Sequence, residues 1–105
     1  MKDVYYNPEY FDLIIVKTLE EEDLSYEFNM FIIFQHKDKR LFYAKDSGCS
    51  CPSPFEDYTN LKDLTEITKM GFSSFVTEFE SWCEYAKIDN IKKKGVIEQI
   101  RKLLE

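Results

Sequence analysis

The side chains with the most chemical capacity gather in one run, Asp46-Ser47-Gly48-Cys49-Ser50-Cys51-Pro52-Ser53-Pro54-Phe55-Glu56-Asp57-Tyr58. Two thiols there suggest metal ligation first. Zinc asks for four thiolate or imidazole ligands in a tetrahedron, drawn from pairs spaced by two to four residues. Cys49 and Cys51 are separated by one residue, and the other candidates are Cys83 and the single histidine, His36. A complete site would consume every Cys and His from three distant segments. No metal or cofactor is therefore expected. The simpler expectation is that one thiol packs as a small hydrophobe while the other lines the loop.

Nucleophilic catalysis fares no better. A reactive cysteine needs a base or a positive charge to lower its pKa, and His36 could serve only if its turn lay beside the loop. Ser47, Ser50 and Ser53 lack a G-x-S-x-G elbow. The glycines, Gly48, Gly71 and Gly95, are too scattered to cradle a phosphate. Acid–base work would fall to carboxylates such as Asp46, Glu56 and Asp57, which on an acidic chain are ordinarily solvated. No catalytic residue is assigned, and the chain is expected not to be an enzyme.

The carboxylates have a second use. Glu20, Glu21, Glu22, Asp23 and Glu27 form one cluster, and Asp46, Glu56 and Asp57, with Tyr58 beside them, form another. Such a face can imitate the regular charge of a nucleic-acid backbone and occupy a basic groove on a partner. It can equally do no more than keep an aromatic-rich domain soluble. The formal charge is −6. Residues 92–105 depart from it, with five bases (Lys92, Lys93, Lys94, Arg101, Lys102) against two acids. Direct nucleic-acid binding is not expected, because phosphate neutralisation needs clustered cations over most of the contact. The five bases read as the solvated face of a helix.

The elements that must position these groups follow from periodicity. Pro8 after Asn7 permits one short helical turn. The β-branched run Leu13-Ile14-Ile15-Val16 reads as a strand over 12–19, and Glu20 to Asp23 as an exposed loop or strand end. From Tyr26 to Gln35 one face is wholly apolar (Tyr26, Phe28, Met30, Ile32, Phe34). The other carries Phe31 and Ile33 among polar neighbours, as in a central strand covered on both sides. After the charged turn 36–40, Leu41 to Ala44 returns as a third strand. Leu61, Leu64 and Ile67 fit either a helical turn or a short fourth strand. Phe75, Phe79, Trp82 and Ala86, with Val76 and Cys83, make a helix with an aromatic stripe, capped by Ser73 or Ser74. Val96, Ile97, Ile100, Leu103 and Leu104 mark a last helix capped by Asp89 or Asn90.

The expected fold is therefore α+β: a three-stranded antiparallel sheet, four-stranded if the short strand forms, packed by two C-terminal helices. It is one domain over 1–105, with the meander in 1–46, an ordered Cys/Pro loop in 47–60 and the helical part in 61–105. The loop, with Gly48, Cys49, Cys51, Pro52, Pro54 and Phe55 as its scaffold, is expected against one edge of the sheet. No signal segment opens the chain, the apolar run from Met30 to Phe34 is too short to span a bilayer, and three cysteines are an odd number. These favour a reducing cytoplasm and no membrane partner.

The G-C-S-C-P-S-P-F-E core within residues 46–58 resembles a signature of an uncharacterised family of small phage and prophage proteins. The Tyr5-Tyr6 opening with Pro8, the strand from Leu13 to Val16 and the Ser25-Tyr26-Glu27-Phe28 approach to the next strand are also similar, so the likeness spans residues 4–64. The family carries no catalytic residues to transfer. What the resemblance implies is context: a viral gene expressed in the cytoplasm of a bacterial host, and a small protein that antagonises host defence. The expected function is non-enzymatic, anti-CRISPR-like inhibition through the acidic and aromatic surface, with a host defence protein such as a nuclease effector as partner. Sequestration of a small nucleotide signal by an oligomer, with the 48–55 loop supplying N–H donors, and a structural role in a phage assembly are the alternatives.

Overall fold

The computed structural model describes residues 2–25, 27–49 and 54–105. Four strands, β1 (Leu13–Glu20), β2 (Glu27–His36), β3 (Leu41–Cys49) and β4 (Thr65–Ile67), form one sheet in the order β1-β2-β3-β4. Every neighbouring pair is antiparallel. Two helices follow, α1 (Phe72–Ala86) and α2 (Asn90–Leu104). The α+β class and both C-terminal helices are those expected from the sequence pattern.

Alternation along β2 determines the layering. Phe31 and Ile33 project to one face and join Leu19, Leu41, Tyr43 and Ile67 beneath the helices. Met30, Ile32 and Phe34 project to the other and join Leu13, Phe42, Ala44 and Phe55. The sheet is thus buried on both faces, which is why β2 reads as an almost continuous apolar run. On the helical side Phe31 lies parallel to Tyr43 with centroids 5.2 Å apart and meets Phe79 edge-on at 5.1 Å. Ring pairs in these geometries add to the area term, about 1.5–3 kcal/mol for each fully buried large side chain.

A β-bulge at Val16 lets one short strand serve both cores. Ile15 pairs with Phe34 and Lys17 with Ile33, so the extra residue reverses the alternation. Leu13 therefore enters the loop-side core while Leu19 enters the helix-side core.

Several expectations change. The third strand does not end at Ala44: Asp46, Ser47, Gly48 and Cys49 continue it, paired with Met30, Asn29, Phe28 and Glu27. Gly48 stands opposite Phe28, where an added Cβ would reach ordinary contact at 3.5 Å from the ring, so neither a turn nor a left-handed residue is needed there. The loop therefore begins after residue 49, not at 47. Nor does its described part, from Pro54 onward, lie along a sheet edge, because Phe55 is fully buried on the face opposite the helices. Leu61–Asp63 forms a 3-10 turn and Thr65–Ile67 a strand, so both readings of that stretch hold in succession. Helix α1 opens at Phe72 with Gly71 at the capping position and no side-chain cap, while Ser73 and Ser74 are exposed in its first turn. Asp89 caps α2, accepting the Lys92 N–H at 2.8 Å. Among the described residues no helix is long and apolar enough to cross a membrane.

Candidate functional site

The β1–β2 turn and the far end of the β2–β3 hairpin meet the C-terminus of α1 at one end of the molecule. Glu20 closes β1, and Glu21, Glu22 and Asp23 form the turn. Glu27 opens β2 opposite Cys49. Glu20, Glu22, Asp23 and Glu27 are exposed. Asp23 adopts φ 65°, a left-handed conformation that a short polar side chain tolerates.

Glu21 is held differently. Its carboxylate accepts the Asn29 side-chain N–H at 3.0 Å, and its backbone N–H donates to the Asn29 carbonyl at 2.9 Å. Asn29 in turn accepts the Trp82 indole N–H at 2.9 Å in the interior. The acidic turn is thereby tied to the second strand and to α1, so its carboxylates project from a fixed base.

Two clefts flank Leu24. One, of about 310 Å³, brings Glu21, Glu22 and Asp23 opposite Lys87 and Lys92. The other, of about 330 Å³, lies between Glu21, Glu27, Ser47, Cys49 and Tyr85. The end is consequently acidic on the turn and mixed toward α2, which the linear sequence, with its lysines 64 to 71 residues away, did not reveal. Tyr85 is 75% exposed and was missed. The available signal was its place one residue off the buried stripe of α1.

The second acidic group divides. Asp46 does not point outward for a partner: its carboxylate accepts the Phe55 N–H at 2.8 Å and the Ser47 N–H at 3.0 Å. Tyr58 donates its hydroxyl to the Lys45 carbonyl at 2.8 Å, its N–H bonds the Phe55 carbonyl, and its own carbonyl accepts the Val4 N–H. Burial raises the Tyr58 hydroxyl pKa, helped by the charges of Asp46 and Asp63. These two residues fasten the described part of the loop, while Glu56 and Asp57 are exposed to solvent. Phe55 sits at φ 60° with no exposure, a strained backbone for an aromatic residue that burial of the ring and the Asp46 bond over-determine. Pro54 is half-buried beside it, while Cys51 and Pro52, like Tyr26, lie outside the described residues.

Of the described thiols, Cys49 is exposed and Cys83 buried, and both are free. His36 closes β2 at the end opposite Cys49; nine residue steps at about 3.3 Å separate the two ends of that strand. The imidazole instead lies 3.1 Å from Asp38. Cys83 is 1% exposed in the helical core, where burial pushes its thiol up to about 11. Among the described residues no group of three or more His, Cys, Asp or Glu side chains is arranged to hold a metal ion.

A family model described as a domain of unknown function (DUF7574) matches residues 2–104, so the match runs through the helices as well as the sheet. No curated protein and no solved structure matches the chain.

Proposed function

Because the chain belongs to the DUF7574 family, whose description assigns no activity, we propose a function from its surface: a non-catalytic inhibitor that docks its acidic end on a basic partner. The observation that carries this reading is the anchored Glu21, whose bonds through Asn29 to Trp82 fix the turn bearing Glu20, Glu22 and Asp23. Preorganised charge loses little freedom on binding and steers encounter with an oppositely charged surface. The half-buried Leu24 and exposed Tyr85 supply the apolar anchor that charge alone lacks.

The partner of this description is a host defence protein, such as a CRISPR or other nuclease effector. Its nucleic-acid groove is basic because it must neutralise phosphate. The resemblance of residues 4–64 to small phage proteins supports that context and a bacterial cytoplasmic setting. Sequestration of a nucleotide by the loop is less well supported, since the Phe55 N–H is already bonded to Asp46.

Affinity capture with the tagged full chain from infected bacterial cells tests the proposal. A single stoichiometric partner with a nuclease domain is expected, and its cleavage activity should fall on addition of the chain. Capture should weaken with rising salt and be lost on reversing Glu20, Glu22 and Asp23 to Lys. Salt-insensitive capture, or retention by the reversed variant, would sink it.

A further inference from the structure

Strand β1 is an edge of the sheet, and among the described residues no backbone hydrogen bond reaches its outer side. The bonds on its inner side determine which groups point outward. Glu21 donates its N–H to the Asn29 carbonyl, and Lys37 donates to the Asp12 carbonyl, each at 2.9 Å. Bonded and non-bonded pairs alternate along an antiparallel ladder. Ile14 therefore bonds inward before the bulge, and Lys17 and Leu19 after it. Leu13, Ile15, Thr18 and Glu20 turn their N–H and C=O groups outward. Leu13 is buried, so the open run begins at Ile15. Ile14 and Ile15 are 63% and 37% exposed, and Thr18 is exposed. The bulge leaves a three-residue interval between Ile15 and Thr18 where an unbroken strand has two. A regular partner strand can match the outward groups on one side of that break but not on both, which is how bulges protect edges. A strand with the same break in the same place is β1 itself.

We propose that β1 pairs antiparallel with β1 of a second copy about a two-fold axis beside Val16 and Lys17, so that two four-stranded sheets become one. Ile15 then bonds Thr18 of the second copy, Thr18 bonds its Ile15, and the two bulges face each other across the axis. Ile14 lies beside Leu19 of the second copy on the helical face, and Ile15 beside its Thr18 on the other, so both exposed isoleucines are covered. The same surface is used on each side, so the contact is isologous and closes at two chains. Charge does not drive it. Each copy carries −6, and Lys17 comes near its own counterpart at the axis. Backbone bonds and aliphatic burial supply the attraction, and screening of the like charges strengthens it. The inhibitor reading, which places its partner on the acidic turn and requires salt to weaken capture, stands or falls separately.

Sedimentation velocity on the full chain at low and high salt is the test, joined to amide hydrogen exchange. At about 100 μM, a micromolar contact would leave most chains assembled. A dimer and nothing larger is expected, with its fraction rising as salt rises toward about 1 M, where charges are screened within about 3 Å. In the dimer the Ile15 and Thr18 amides should slow together, while those of Lys17 and Leu19, already bonded to β2, change little. Thr18→Pro removes an outward N–H, a change that edge strands tolerate, and should leave a monomer. Ile14→Lys, at an exposed position, should do the same if the proline variant fails to fold; circular dichroism reports folding. A wild-type chain monomeric at both salts, assembly beyond a dimer, or a folded variant that dimerises as wild type would each overturn the inference. So would a dimer that protects Thr18 but not Ile15, because its strands would be joined in another register. A monomer that still captures a basic partner would overturn it while leaving the inhibitor proposal standing.

Discussion

The Trp82 indole N–H donates to the Asn29 side-chain oxygen at 2.9 Å, with both residues more than nine-tenths buried. This bond spans fifty-three positions of sequence and is the polar contact that fixes α1 over the second strand beside the acidic turn. Asn29 uses its other side-chain group on Glu21, so the three residues form a satisfied chain from core to surface.

Removing the middle member should therefore cost more than one average hydrogen bond. Asn29→Leu leaves the indole N–H buried without a partner, a penalty of about 1–3 kcal/mol. It also frees Glu21. Urea unfolding should show this loss, and a Trp82→Phe background should reduce the further cost of Asn29→Leu well below its value in wild type. Additive losses in the double variant would mean that the two side chains do not act together.

Asp46 and Tyr58 were expected on the partner-binding face, but their bonds make them fasteners of the loop, and that distinction is measurable. Asp46→Ala deprives the buried Phe55 N–H of its acceptor and should destabilise the fold by about 1–3 kcal/mol. Phe55→Gly relieves the left-handed backbone but forfeits a fully buried ring, for a net loss of about 2–4 kcal/mol. Tests of capture should use Glu56→Lys with Asp57→Lys for this face, since both side chains are exposed. If the docking end is the β1–β2 turn, those reversals weaken capture far less than the same changes at Glu22 and Asp23.

A carboxylate between two donors gives the stability a pH dependence of known sign. Burial works against ionisation of Glu78, but the Tyr43 hydroxyl and the Lys45 ammonium outweigh it and hold the carboxyl below its ordinary value of 4.5. The contribution is whole above pH 4.5 and is lost as pH falls through the lower folded value. Burial first, then the Glu78 bond and charge, pushes Tyr43 from 10 to about 12. Its contribution is whole below pH 10 and declines as pH rises toward 12. Glu78 is more than one-third exposed, so Glu78→Gln should cost under about 1 kcal/mol at neutral pH. Thermal melts of that variant should show a flatter acid limb and, because the Tyr43 value falls back toward 10, a flatter alkaline limb as well. An unchanged acid limb would show that Glu78 is not the titrating group.

The contrast between legible and hidden features has a physical source. Period-two alternation in Phe28 to Phe34 and the 75/79/82/86 stripe each report local backbone geometry, so the sheet and α1 could be read directly from the chain. The extension of β3 through Ser47 and Gly48 could not, because its pairing with Phe28 and Asn29 is decided by tertiary contact against the weak strand preference of those residues. Glu20 to Asp23 were visible as a charged block. That Lys87 and Lys92 share their cleft, and that Tyr85 stands exposed beside them, depends on how α1 crosses the sheet. Periodicity carries no information about that crossing.

The thiols offer the most direct probe of the acidic end. Cys49 is exposed at the end of β3 and lines the cleft with Tyr85, whereas Cys83 is buried in the helical core with its thiol pushed up to about 11. Desolvation is the main cause; the Lys93 charge opposes it and the Glu80 charge adds to it. The thiolate is the reactive form, so the two sites should differ in rate by orders of magnitude near neutral pH. In a Cys51→Ser background, one equivalent of an aromatic disulfide reagent should react at once. The second should react only as fast as the protein opens, and become immediate in denaturant. A bulky maleimide on Cys49 should then reduce capture of a basic partner at least tenfold, by filling the cleft between Glu27 and Tyr85. Rapid labelling of both thiols in the folded protein would contradict the packing of α1. Undiminished capture after complete Cys49 modification would move the docking surface away from this end.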